Sequence, residues 1–180
     1  NDRLKALAYA RDMLHRYGIT SIQDAYVFEP DLEAYARLDA AGDLNLRVVA
    51  GLWWQREETE EQIPYLVELR DKFNKGNVRP TAVKIMQDGV MENYTAVMLE
   101  PYLIEKETRG IPMVDPEFLK EAVSLLDDAG FQIHFHAIGD GALLHPLDAV
   151  EAARKRTGDL GHRHNIAHLQ IIHPSDIPRF

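Results

Sequence analysis

The feature that most constrains this chain is an alternation of two patterns. Five short runs rich in β-branched and apolar residues recur along it: 19–25, 46–53, 82–86, 131–136 and 165–169. Each is separated from the next by a stretch with helical spacing. Residues 2–17 place Leu4, Leu7, Ala8, Ala10, Leu14 and Tyr17 near one helical face, with Gly18 as a stop. Pro30-Asp31 opens a second helix, with Leu32, Tyr35 and Leu38 on one side. A third helix is expected over 60–74, where Pro64 is tolerable only in the first turn. Asp115-Pro116 reads as a cap and first helical residue of a fourth, which runs to Gly130. The fifth spans 140–157, with Pro146 expected to kink or delay it, and Pro174-Ser175-Asp176 starts another. Strands alternating with helices imply a parallel sheet with helices packed outside. Right-handed crossovers then set sequential strands side by side. Two α/β architectures fit, a doubly wound sheet or part of a (β/α)8 barrel. No G-x-G-x-x-G follows the first strand, which removes the usual reason to prefer a dinucleotide-binding fold. A complete barrel takes about 250 residues. At 180 residues the chain is one domain, short of a barrel by three strand–helix units.

Composition narrows the chemistry. Net charge is −9, which argues against nucleic acid or an anionic membrane as a partner, since both need a basic face. There is no cysteine, so disulfides and thiolate metal sites are excluded and any metal ligand must be His, Asp, Glu or a modified Lys. No apolar run approaches the roughly 20 residues of a membrane span. Asn1-Asp2-Arg3-Leu4 lacks the apolar region of a signal peptide and an initiating Met, so a cytoplasmic location and a start inside a longer protein are expected.

In a parallel α/β architecture the site lies at the carboxyl ends of the strands. The polar residues there are Gln23 and Asp24 after the first strand, and Lys84 within and Asp88 after the third. His134 and His136 follow in the fourth, with Asp140 just beyond, then His168 and Gln170 at the fifth. His134 and His136 share a strand face, and His136 is nearer the carboxyl end. Hydrogen-bonded core histidines would explain an isolated pair; a second strand ending in His168 favours a metal. Lys84 sits among Val83, Ile85 and Met86, where an ammonium is costly to bury. Either it pairs with Asp24 or Asp88, or it is a neutral amine able to add CO2 as a carbamate. His162, His164 and His173 are read as solvated or structural, and His15 and His145 carry no assigned role. Trp54 after the second strand is read as core and rim packing, with a substrate-facing role as the alternative. The longest irregular stretch, 89–112, follows the third strand and is read as functional or as a packed excursion over the mouth.

Several of these segments resemble a known family. Gly18 to Ala25 is similar to the second strand of amidohydrolase-superfamily barrels and Val83 to Gly89 to the fourth. His136 to Asp140 is similar to the fifth, and Arg163 to Gln170 to the sixth. With Leu99-Glu-Pro-Tyr102 and Leu147 to Glu151, the set resembles the amidohydrolase 3 branch, the YtcJ-like proteins, which include N-substituted formamide deformylase. The resemblance implies a partial (β/α)8 TIM-type barrel, about strands 2–6, over 1–180. It implies a divalent metal, zinc, as one or two ions, on a carboxylated Lys84, His136 and His168. Asp24, Asp88, His134, Asp140, Gln170 and Trp54 would be second-shell or substrate residues. The family's first-strand H-x-H would precede Asn1, and its eighth-strand Asp, the expected proton shuttle, would follow Phe180. Ala167 stands where the family often has Glu, and Gly141 where Arg is common.

The activity so implied is metal-assisted hydrolysis of a C–N bond in a small-molecule amide, formamide or cyclic amide, with the fragment alone inactive. A non-catalytic interaction or regulatory domain is the alternative, and a deaminase a third reading that Lys84 speaks against. Open sheet edges would favour a homo-oligomer.

Overall fold

The computed structural model describes residues 2–180; Asn1, the first residue of the N-terminal reading above, lies outside them. The chain forms two compact units, one from the chain up to Trp53 with Glu61–Val83, the other from Trp54–Glu60 with Lys84–Phe180.

In the first unit α1 (Asp2–Arg16) leads to β1 (Ser21–Val27), α2 (Glu29–Ala40), β2 (Arg47–Trp53) and α3 (Ile63–Phe73). β1 and β2 pair in parallel, Ser21 opposite Arg47 and Asp24 opposite Ala50, with a bulge before Val27. α2 accepts Pro30 in its first turn and closes its start when Phe28 N–H donates to Asp31 Oδ2 at 3.0 Å. α3 likewise tolerates Pro64 in its first turn, after a 3-10 turn at Glu60–Gln62, because the missing donor is one a helix start leaves unpaired. Leu32, Leu52, Leu66 and Leu69 fill this core, and no residue of α1 is buried.

β3 (Val78–Met86) runs through both units, Val78–Val83 in the first and Lys84–Met86 in the second. It begins four residues before the apolar run that marks it in the sequence. Its opening alternates buried and exposed residues around Pro80, a residue that removes a ladder donor and so disguises a strand. From Ala82 to Ile85 burial is continuous, as in a strand covered on both faces.

The second unit continues with α4 (Pro116–Asp128), β4 (Gln132–Ala137), α5 (Asp140–Thr157) and β5 (Asn165–His168). Asp115 caps α4, its Oδ1 accepting from the N–H groups of Glu117 and Phe118 at 3.0 Å. α5 is continuous through Pro146, and Pro174–Arg179 is a 3-10 segment rather than an α-helix. β4 and β5 are parallel, His134 opposite Asn165 and His136 opposite Ala167. Ile133 and Phe135 on the other face of β4 are fully buried, with Leu119, Val123 and Leu126 of α4 and Leu143 of α5 also in this core. Each such side chain stabilises the fold by about 1.5–3 kcal/mol. The strand order is β1-β2-β3-β4-β5, with sequential strands side by side as the alternation led us to expect. Among the described residues no helix is long and apolar enough to cross a membrane.

Candidate metal centre

Lys84, His134, His136 and His168 all belong to the second unit. Lys84 lies near the carboxyl end of β3, only 5% exposed. Burial alone drives its amine down to about 8, with no carboxylate opposing the shift. Asp88, one of the two ion partners considered for it, is committed elsewhere. Burial thus moves the Lys84 amine toward its neutral form, and no carboxylate holds it as an ammonium.

His136 is buried at the end of β4, and its Nε2 stands 3.0 Å from the carbonyl of Gly89 and 3.4 Å from Asp88 Oδ1. A carbonyl can only accept, so Nε2 carries a proton, and in the neutral tautomer this leaves the lone pair on Nδ1. The His168 ring meets the His136 ring edge to face, with centroids 4.5 Å apart. Register alone does not bring them together. His168 lies opposite Ala137, one residue past His136, so strict alternation would turn it to the other side. At His168 and Leu169 the backbone enters the left-handed region, φ 82° and 49°, where non-glycine residues are uncommon. This local break ends β5 as His168 is presented to His136. Burial, then His136 and Lys84, hold the His168 imidazole below its ordinary value and favour its neutral form.

His134 lies one layer deeper. Burial, then Lys84 and His168, bring it down to about 4, and its Nδ1 is buried with no hydrogen-bond partner. Among the described residues no group of three or more His, Cys, Asp or Glu side chains gathers as a metal cage. The donors present are thus a buried amine with no carboxylate against it, two imidazoles in contact and an orphaned imidazole nitrogen. That chemistry fits a partial ligand set for a divalent cation.

Around the ligands, carboxylates organise backbone. Asp88 is fully buried. Its Oδ2 accepts from the N–H groups of Val97 and Gly139, both at 3.0 Å, and Oδ1 from Ile138 at 3.1 Å. Asp140 Oδ1 accepts from Leu99 and Gly141, each at 2.9 Å. The long irregular stretch is consequently in two parts. Its base is bonded to the turn after β4, and Ala142 N–H also donates to the Val97 carbonyl at 3.0 Å. Its tip, 103–107, is exposed. Trp54 is buried and tilted against Phe118 at 6.4 Å, with its indole nitrogen unpartnered. Gln170 is exposed. Asp24, in the first unit, accepts from Tyr35 Oη at 2.9 Å.

The sequence reading missed Asp127. This residue of α4 is 3% exposed, and its Oδ1 stands 2.7 Å from His162 Nδ1 and 3.1 Å from His164 Nε2. His164 Nδ1 accepts from Ile133 N–H at 3.0 Å, so its proton sits on Nε2 and points at Asp127. Gln132 Nε2 donates to the carbonyls of His162 and Arg163. The approach to β5 is thereby tied to the start of β4. A signal was present: a carboxylate in the last turn of a helix opposes the helix dipole and needs another reason to be there.

Four imidazoles (His134, His145, His164 and His168) are held below their ordinary value, with burial the first cause in each. The fold therefore favours their neutral forms. Stability is full above an unfolded value of about 6.5 and falls on acidification, as the unfolded chain takes up protons first. The unfolding free energy obtained from urea titrations is expected to drop steeply between pH 7 and 4.5, mostly through the half-buried His134, with the exposed His168 adding little because water screens it. A flat profile across that interval contradicts the assignment.

The model of the amidohydrolase family matches residues 2–180. The chain is 32% identical over 168 residues to the exoenzymes regulatory protein AepA of Pectobacterium carotovorum subsp. carotovorum, covering 92% of itself and 35% of that protein. It is 28% identical over 142 residues to the putative amidohydrolase YtcJ of Bacillus subtilis (strain 168), covering 78% of itself and 25% of that protein. An uncharacterized metal-dependent hydrolase from Pyrococcus horikoshii OT3 superposes with a TM-score of 0.77 at 22% identity, over 99% of this chain and 34% of that one. A second, from Pyrococcus furiosus, gives 0.75 at 24% identity, over 96% and 34%. The chain thus spans between a quarter and about a third of these relatives, and its fold is part of a TIM-type (β/α)8 barrel, one of the two architectures open to the strand–helix alternation and the one the family resemblance implied. With residues 2–180 matched by the family model, the chain belongs to the amidohydrolase family.

Proposed function

We propose that the whole protein carrying this chain hydrolyses a C–N bond in a small amide, formamide or cyclic amide, with a divalent cation, zinc, held in part by Lys84, His136 and His168. The observation that best supports this is the contact of the His136 and His168 rings at 4.5 Å, together with the burial of Lys84 at the end of the neighbouring strand. When bound, such a cation polarises a carbonyl and lowers the pKa of a water molecule.

The remaining work belongs to the chain. Lys84, as the free amine, adds CO2 through a new N–C bond and releases one proton, which turns a neutral nitrogen into an anion with two oxygens. His136 is fixed in its tautomer by the Gly89 carbonyl and offers Nδ1. His168 is shifted toward its neutral form and offers a second nitrogen. Asp88 is unsuited to moving the reaction's proton, because both its oxygens already accept backbone N–H groups.

The test is metal content and turnover of the whole protein before and after chelation, with formamides, N-acyl amines and cyclic amides as substrates. Chelation is expected to cost at least about 100-fold in rate, and zinc to restore it. Full turnover by metal-free protein rejects the proposal. The similarity to AepA, an exoenzymes regulatory protein, favours a second reading, a regulatory protein of the same fold. Stoichiometric zinc without turnover on any substrate class supports that reading instead.

A further inference from the structure

Asp88 lies at a junction that the proposed chemistry does not use. It follows β3, and its carboxylate accepts N–H groups from two other segments: Val97 in the base of the loop, and Ile138 and Gly139 in the turn directly after β4. The two segments are pressed together. A Cβ on Gly139 would stand 1.9 Å from the Val97 carbonyl oxygen, so only glycine allows this approach. The residue after Asp88 is Gly89, whose carbonyl receives the His136 Nε2 proton. Gly89 in turn donates to the Thr95 carbonyl at 3.1 Å, and Gln87 N–H donates to the His136 carbonyl at 3.0 Å.

We propose that Asp88 is a positioning residue for His136. One buried carboxylate ties the loop base and the turn after β4 to the end of β3, and thereby sets both the height of the Gly89 carbonyl and the backbone beyond His136. The His136 ring is held on two sides by what this carboxylate fixes. The loop base is therefore a built part of the site, ordered before any ligand arrives, and motion is left to the exposed tip. The inference rests on the metal reading of His136 given above.

Hydrogen exchange of the metal-free whole protein, together with Co(II) titration followed by its absorption spectrum, tests it. In Asp88→Asn one oxygen becomes an NH2 that cannot accept. The amides of Val97, Ile138 and Gly139 are expected to exchange at least about 10-fold faster, and Co(II) affinity to fall about 10–100-fold with an altered spectrum. Tyr102→Phe is the control. It removes only the bond from Tyr102 Oη to the Ala96 carbonyl, and should loosen the loop while leaving Co(II) affinity within about 2-fold. If Asp88→Asn does not fold, Gly139→Ala separates loop from turn with Asp88 intact, and the same loss of Val97 protection and Co(II) affinity is expected. Unchanged exchange in Asp88→Asn overturns the tie. Faster exchange with unchanged Co(II) affinity, in either variant, overturns the positioning role. Wild-type protein that takes up no Co(II) overturns the metal reading itself, and the inference with it.

Discussion

Lys84→Met is expected to make the metal-free protein more stable than wild type by about 1–3 kcal/mol at pH 7, and to leave the whole protein without turnover. The stability half follows from burial. Lys84 is 5% exposed, and burial, with nothing opposing it, brings its amine down to about 8. A lysine in the unfolded chain titrates near 10.4. Above that pH neither state is charged and the lysine costs nothing. As pH falls toward 8 the unfolded chain takes up the proton first, so folding loses stability; below 8 the loss is constant. The advantage of methionine, which fills similar space without a charge, should therefore be greatest at neutral pH and vanish by about pH 10.5. The activity half follows from chemistry. Methionine cannot form a carbamate, and rate is expected to fall by at least about 1000-fold. Lys84→Ala should lose as much but regain part of it with formate or acetate, whose carboxylate can occupy the vacated space. Urea unfolding at pH 7 and pH 10.5, and turnover with and without the acids, measure both halves. A Met variant less stable than wild type at pH 7, or an Ala variant with full activity, would remove Lys84 from the site.

Asp127→Ala is expected to cost about 2–4 kcal/mol of stability. Oδ1 accepts from His162 and His164, and both N–H groups would lose their acceptor. His164 also accepts from Ile133, so the damage passes to the pairing of β4 with β5. β5 has only four residues, Asn165–His168, and carries His168 at its far end. Faster amide exchange over 165–168 should accompany the loss of stability. Asp127→Asn keeps one oxygen and should cost no more than about 1 kcal/mol. Equal effects of the two substitutions would show that the carboxylate's bonds are not what holds β5.

The strand–helix alternation made most of the fold legible, because helices and strands write different periods into their apolar residues. It failed where local chemistry opposes the period. Pro80 hides the opening of β3, and Pro146 lies within an unbroken α5. Strand-end positions singled out Lys84, His136 and His168, since an ionisable residue in an apolar run is visible by contrast. What brings His168 to His136 was not legible. It depends on a left-handed backbone at two ordinary residues, His168 and Leu169, and neither is the glycine that would advertise it. The partners of Asp88 were hidden for a related reason: they are backbone N–H groups, which every residue has, contributed by a loop without periodicity.

The exposed tip of that loop has a practical consequence. Leu103 and Ile104 are 90% and 78% exposed, while the chain on each side is cross-tied, Met98 to Arg109 and Tyr102 to Thr108. A cut or a spliced-in peptide after Ile104 therefore lands beyond the last tie, and the severed ends remain moored to each other. This is where a reporter group or an affinity handle can be grafted while the histidines keep their seats.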